Sequence, residues 1–222
     1  MRGFYAILDA PPERLDLTGG ALAAAGGAAL EARAQQLLAA GPCCLQLRAK
    51  MATARALEAA ARRLLPLCRA AGVPFCVNDR MDVALAVGAD VVHLGQDDLP
   101  LADARQVRAA AGRPDLVIGF STHNLAQALA AAQAGADYIG FGPVFGTRSK
   151  LNPDPTVGLE TLAAVCDAVA LPVVAIGGIG LDAVPAVARA GASAAAIIAA
   201  IEAAPDATAA GRAVAAAFAA NA

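Results

Sequence analysis

The chain has 222 residues, a formal net charge of -2, 58% hydrophobic residues, 4% aromatics and no tryptophan. That length suits one sizeable core, and the lack of a basic field or of aromatic stacking platforms excludes nucleic acid and anionic membrane as partners. Much of the hydrophobic content is alanine, and the Ala-rich runs near residues 21–30 and 213–220 are too short and too light to span a bilayer.

Taken in order, Phe4 to Asp9 reads as a first strand, closed by Pro11-Pro12; because the chain opens on a strand rather than a basic-then-apolar leader, a cytoplasmic location is expected. The Gly- and Ala-rich segment to about residue 28 is ambiguous and stays unassigned, and Leu30 to Ala40 fits a helix. Strand two is Cys43 to Arg48, and Thr53 can cap a helix that reaches Ala71 and closes at Gly72. Strand three is Val73 to Asp79, with a short helix through Val87; strand four is Val91 to Leu94, with a helix at Leu101–Ala111. Strand five is Leu116 to Phe120, followed by a helix over 124–134. Strand six opens at Asp137 and stops at Gly142-Pro143, with a helix over 159–169. Val173 to Ile176 and Ala194 to Ile198 are strands seven and eight, with helices over 182–190 and 206–220. Ala-Gly pairs at 71–72, 134–135 and 190–191 supply the left-handed residue that ends a helix.

Eight short apolar strands alternating with helices predict an α/β fold, a parallel (β/α)8 TIM barrel spanning residues 1–222 as one domain. An open doubly wound sheet would leave eight near-equal units unexplained. The five cysteines form no C-x-x-C pair, and with two histidines they point to free thiols rather than a zinc site or a disulfide framework.

In such barrels the chemistry sits at the C-terminal strand ends, and the polar residues of this sequence collect there. They are Gln46 to Lys50, Asn78-Asp79-Arg80, Gly95 to Asp98, Ser121-Thr122-His123, the loop Thr147-Arg148-Ser149-Lys150 and Gly177-Gly178. Asp79 and Asp98 end neighbouring strands about 5 Å apart, a spacing at which two carboxylates can share a hard divalent cation such as Mg²⁺. Asp97 is free to cap the helix near Leu101. Arg48, Lys50 and Lys150 can neutralise an anion bound with the metal, and Arg80 could do so or simply pair with a nearby acid. Gly177-Gly178 and the backbone after Ile198 suit a phosphate site. His123 could act as a general base or orient its loop, and Ser121 reads as a hydrogen-bond donor because no nucleophile elbow surrounds it. Gly142, Gly146, Pro153 and Pro155 bracket the hydroxyl- and cation-rich loop in a pattern that suits a lid.

These blocks, in order over residues 4–201, resemble the thiamine phosphate synthase family. They are Gln46-Leu47-Arg48-Ala49-Lys50, Val77 to Arg80, His93 to Asp98, Gly119 to His123, Asp137 to Lys150 and Ala175 to Ile179. The resemblance implies a Mg²⁺-assisted transferase that condenses 4-amino-2-methyl-5-pyrimidinylmethyl diphosphate with a thiazole phosphate, carboxylated or not, and releases pyrophosphate. It further implies that Gln46, Leu47, Arg48, Ala49, Lys50, Asn78, Ser121 and Lys150 bind the pyrimidine diphosphate and that Asp79 and Asp98 hold Mg²⁺. Thr147, Arg148, Ser149, Gly178, Ile198 and Ala199 would line the thiazole phosphate site, and Arg48, Lys150 and Ser121 would carry the catalysis. A homo-oligomer is compatible with this reading.

Three positions depart from the family pattern. Ser149 stands where the loop usually has a second threonine, which keeps the hydroxyl. Ala49 replaces a usual glutamate at a position expected to face away from the ligand, and Ala199 replaces a frequent serine, which removes one phosphate hydrogen bond. The related thiazole tautomerase shares the barrel but lacks the paired acids and the hydroxyl–lysine loop; a non-catalytic phosphate-binding barrel is the other alternative.

Overall fold

The computed structural model describes residues 1–10, 20–146 and 154–221, leaving aside the side chains of 20–25. Its parallel strands are β1 (Gly3–Asp9), β2 (Cys44–Arg48), β3 (Phe75–Asn78), β4 (Val91–Leu94), β5 (Val117–Thr122), β6 (Tyr138–Phe141), β7 (Val173–Ile176) and β8 (Ala194–Ile197). They pair in sequence order, and β8 closes on β1 to complete a barrel. The helices are α1 (Gly20–Leu38), α2 (Ala54–Ala71), α3 (Met81–Val87), α4 (Leu101–Ala110), α5 (Leu125–Gln133), α6 (Gly158–Ala168), α7 (Val184–Arg189), α8 (Ala199–Glu202) and α9 (Ala207–Ala219). The expected α/β barrel is therefore the observed one.

Two hydrophobic clusters follow from the two-residue period of a strand. Side chains facing outward, such as Phe4, Leu45, Leu47, Val92, Ile118 and Phe141, pack against the helices in one large cluster. Those facing inward, among them Tyr5, Ile7, Cys44, Cys76, Val91 and Tyr138, fill the barrel itself. Both faces of every strand are covered, which is why the strands read as nearly continuous apolar runs.

Local signals place most boundaries. Thr53 Oγ1 accepts from Ala56 N–H at 3.2 Å to start α2, and Gly72, at φ 66°, ends it. Gly135 and Gly191 follow their helices with positive φ as well. Asn124 Oδ1 accepts from Gln127 N–H at 2.9 Å to start α5.

Four expectations change. The first helix starts at Gly20 rather than Leu30, because alanine favours the helix and Gly27 admits the Arg63 guanidinium, which pairs with Glu31 at 2.8 Å. Strand β5 runs on to Thr122: Ser121 and Thr122 stay in register with Gly140 and Phe141 despite their polarity. Asp97 caps nothing, since α4 begins after Pro100 without a side-chain cap. A short extra helix, α8, follows β8 directly. The Pro11-Pro12 stop lies outside the described residues.

Candidate active site

Strand phase decides which polar residues reach the barrel mouth. Counting inward from Cys44, β2 turns Gln46 and Arg48 into the barrel and sends Leu47 out. Leu47 is fully buried among the helices and Ala49 packs against the same cluster, so either could offer a ligand only its backbone. The same count turns in Asn78 on β3, His93 on β4 and Ser121 on β5. Asn78 is buried and Lys50, at the rim, is exposed.

The two predicted metal carboxylates meet. Asp79 is the only described non-glycine residue with a left-handed backbone, at φ 65°, and its N–H is tied to His93 C=O across the strands at 2.8 Å. Short acidic residues tolerate that conformation best, and a strained residue at a strand end is an expected mark of function. Asp98 comes from the next loop, where its Oδ2 accepts from Gly95 N–H at 2.6 Å. Burial, followed by the neighbouring Asp98 charge and hydrogen bond, raises Asp79 to about 6 against the opposing pull of Lys50 and Arg48. One of two crowded carboxylates thus favours a proton, and a divalent cation would relieve the same repulsion. Two adjacent carboxylates are donors of the kind Mg²⁺ takes, so the residues present fit that ion. Among the described residues no group of three metal-ligating side chains occurs.

The cations are already engaged. Arg48 Nη1 sits 2.6 Å from Asp9 Oδ1, its register partner on β1. Lys50 Nζ lies 3.8 Å from Asp79 Oδ2, close enough to feel the carboxylate pair while remaining half exposed. Arg80 pairs with Asp82 at the surface, the simpler of its two expected roles.

The loops after β6 and β7 are bound to each other. Val144 N–H donates to Ile176 C=O at 2.9 Å and Phe145 N–H to Gly177 C=O at 3.0 Å. A Cβ at Gly178, where φ is 63°, would lie 2.3 Å from Gly146 O, so only glycine fits there. Gly178 and Ala199 are exposed and Ile198 half-buried, with Ile198 at the start of α8. Thr147, Arg148, Ser149 and Lys150 lie outside the described residues. His123 takes the loop-orienting role: its Nδ1 is 2.6 Å from Gly142 O and its Nε2 3.6 Å from Asp154 Oδ2, so it touches both flanks of the 142–157 segment.

Sequence reasoning passed over Asp9, Tyr5, His93 and Tyr138. Tyr5 Oη lies 2.9 Å from Tyr138 Oη, His93 Nδ1 2.9 Å from Tyr138 Oη, and His93 Nε2 2.9 Å from Ser121 Oγ. Gln46 Nε2 donates to Tyr5 Oη at 3.0 Å. The available signal was glycine inside strands. A Cβ on Gly119 would come within 2.1 Å of Tyr138 Cζ, and one on Gly140 within 3.0 Å of His93 Cε1.

Comparison with known proteins shows the family. The sequence profile of the family described as thiamine monophosphate synthase matches residues 19–201. A thiamine-phosphate synthase of Anaeromyxobacter dehalogenans (strain 2CP-C) is 49% identical over 175 residues, covering 79% of this chain and 77% of that one. One from Roseiflexus sp. (strain RS-1) is 48% identical over 169 residues, covering 76% and 70%. The solved thiamine phosphate pyrophosphorylase from Pyrococcus furiosus superposes with a TM-score of 0.80 at 33% identity, covering 98% of this chain and 96% of that one. The chain belongs to the thiamine monophosphate synthase family and is an enzyme of the transferase class.

Proposed function

We propose that the barrel mouth joins 4-amino-2-methyl-5-pyrimidinylmethyl diphosphate to a thiazole phosphate, giving thiamine phosphate and pyrophosphate. The observation that carries this reading is the carboxylate pair at the barrel mouth, Asp79 with a left-handed backbone and Lys50 3.8 Å away, Asp98 held by Gly95 N–H. Gln46, Asn78 and Ser121 surround the place where a flat heteroaromatic ring would sit. Arg48, Lys50 and, from the loop, Lys150 meet its diphosphate. Leu47 and Ala49 contribute backbone only. Thr147, Arg148, Ser149, Gly178, Ile198 and Ala199 take the phosphate of the second substrate.

The aminopyrimidine stabilises positive charge on its methylene carbon, so diphosphate departure needs no protein nucleophile. The residues Arg48 and Lys150 hold charge that builds on the leaving oxygens, a service that grows towards the transition state. Asp79 and Asp98 would hold Mg²⁺, which when bound supplies further charge neutralisation to the diphosphate. The barrel keeps the thiazole nitrogen in line with the carbon it attacks. Residues 1–222 act as one barrel domain in this reading. Among the described residues no helix is long and apolar enough to cross a membrane.

A pyrophosphate-release assay tests the proposal. Release is expected only when both substrates and Mg²⁺ are present. Release from the pyrimidine diphosphate alone, or turnover unchanged by chelator, would overturn it.

A further inference from the structure

Five side chains from five strands form one hydrogen-bonded chain through the barrel interior: Gln46, Tyr5, Tyr138, His93 and Ser121. The proposed function uses only its two ends. The three middle groups lie beneath the mouth, and two glycines are left without side chains to make room for their rings.

The chain has a direction. The Cys76 S–H can donate to Val77 C=O, 3.7 Å away, which leaves the sulfur to accept from Gln46 Nε2 at 3.8 Å. The amide therefore presents its NH₂ to this corner, because the amide oxygen there would meet a second acceptor. The other amide hydrogen goes to Tyr5 Oη at 3.0 Å. Tyr5 then has one proton to give, and the Tyr138 oxygen at 2.9 Å is a better acceptor than the neighbouring thiols. In that direction Tyr138, having accepted, would donate to His93 Nδ1, 2.9 Å away. A neutral imidazole that accepts at Nδ1 carries its proton on Nε2, and Nε2 faces Ser121 Oγ. Ser121 accepts from it and keeps its own proton to donate. Burial holds both phenols well above their ordinary range and His93 down to about 4, so all three stay neutral. Gln96 fixes the Ser121 backbone by donating to its C=O at 2.5 Å.

We propose that His93 is a positioning residue, held by Gln46, Tyr5 and Tyr138 as the Nε2–H tautomer, so that Ser121 offers its hydroxyl proton to an acceptor ring nitrogen of the pyrimidine. This rests on the reading of Ser121 as a pyrimidine ligand given above. Reversal of the chain, with the Gln46 amide turned over, would leave Ser121 only lone pairs to offer. It would then suit the exocyclic amino group instead. One amide orientation on β2 thus selects which edge of an aminopyrimidine β5 can hold.

Two measurements test the assignment. The chain has two histidines, so ¹⁵N-imidazole correlation spectra of the substrate-free protein can assign the His93 tautomer directly. The Nε2–H form is expected, and the Nδ1–H form or a mixture overturns the proposal. This arm needs no substrate and so fails separately from the functional reading. In the kinetic arm, Tyr138→Phe keeps the ring and removes the donor to Nδ1. It should raise KM for the pyrimidine diphosphate by about tenfold while moving KM for the thiazole phosphate less than about twofold. In a Ser121→Ala background the same substitution should add less than about twofold. His93→Gln, which keeps an N–H for Ser121, should retain more of the affinity than His93→Phe. Equal shifts in both KM values, or independent effects of Tyr138→Phe and Ser121→Ala, would mean that the chain only packs the barrel.

Discussion

Asp9 and Arg48 face each other in register across β1 and β2, with Oδ1 and Nη1 2.6 Å apart. The guanidinium proposed to receive the diphosphate is therefore oriented before any ligand arrives, and less side-chain freedom remains to be lost on binding. Asp9→Asn should keep the shape but weaken the hold on Arg48. The expected loss in kcat/KM is about tenfold, near 1.4 kcal/mol, smaller than for Arg48→Ala. Steady-state kinetics on both variants checks this; an Asp9→Asn enzyme with wild-type constants would leave Asp9 with no positioning role.

The carboxylate pair makes a larger prediction. Asp79→Ala and Asp98→Ala should each lower turnover at least about a hundredfold, a loss near 3 kcal/mol of transition-state stabilisation, with the barrel still folded. Turnover measured across a Mg²⁺ titration, with circular dichroism as the folding control, decides it. Near-normal rates at low Mg²⁺ in either variant would disprove the shared site.

His93 should leave a mark on stability as well. Burial lowers it to about 4 in the folded chain from an ordinary value of 6.5. The unfolded chain therefore takes up the proton first as the solution is acidified. This contribution is complete above about pH 6.5, declines as pH falls towards about 4, and is flat below, amounting to at most about 3 kcal/mol. Thermal melts from pH 7.5 to 4 should show a steeper fall in Tm for the wild type than for His93→Gln. Parallel curves would show that His93 binds its proton equally well in both states.

Gly119→Ala tests the packing beneath the mouth. The added methyl would meet the Tyr138 ring with Cζ 2.1 Å away, and the ring cannot retreat without abandoning Tyr5 and His93. A destabilisation of about 1–3 kcal/mol is expected, readable in a urea titration. An unchanged midpoint would mean that the ring has room the geometry does not show.

The adjacent residues Ser149 and Lys150 should separate kinetically. Lys150→Ala should lower kcat more than it raises either KM, since its charge meets the departing diphosphate. Ser149→Ala should raise KM for the thiazole phosphate by about 5- to 30-fold, equivalent to about 1–2 kcal/mol, and leave kcat within a few-fold. A rise confined to the pyrimidine substrate would reverse the assignment of Ser149.

The barrel was legible because its cues are local: apolar runs of strand length, Thr53 before α2, Gly72 after it. Strands β4 and β7 came out residue for residue. The nearness of Asp79 and Asp98 was legible too, since Asp79 directly follows β3 and Asp98 lies four residues past the end of the neighbouring β4. The interior chain was not, because Tyr5, His93 and Tyr138 sit within apolar runs and meet partners as far as 133 residues away in sequence. A phenol in such a run looks like any other core residue until the strand phase is known. Arg48 and Arg80 looked alike as rim cations, yet one faces Asp9 across the sheet and the other turns to Asp82 two residues on. The α1 start was hidden by Gly26-Gly27, whose helix-breaking tendency is outweighed by packing around Gly27.

The backbone bonds at the base of the β6 loop carry a consequence for how this enzyme can diversify. Val157 N–H donates to Pro143 C=O at 2.9 Å and Gly158 N–H to Val144 C=O at 3.1 Å, while Val144 and Phe145 N–H groups hold β7. Both ends of the segment are thus riveted to the barrel at a fixed separation. Closing a longer stretch between them costs little, about 0.6 kcal/mol for each doubling of length. Lengthening the stretch between the rivets, as by a short Gly-Ser insert outside 147–150, would therefore pass little strain into the strands, so the sheet answers for the stability of the barrel and the segment for what it carries.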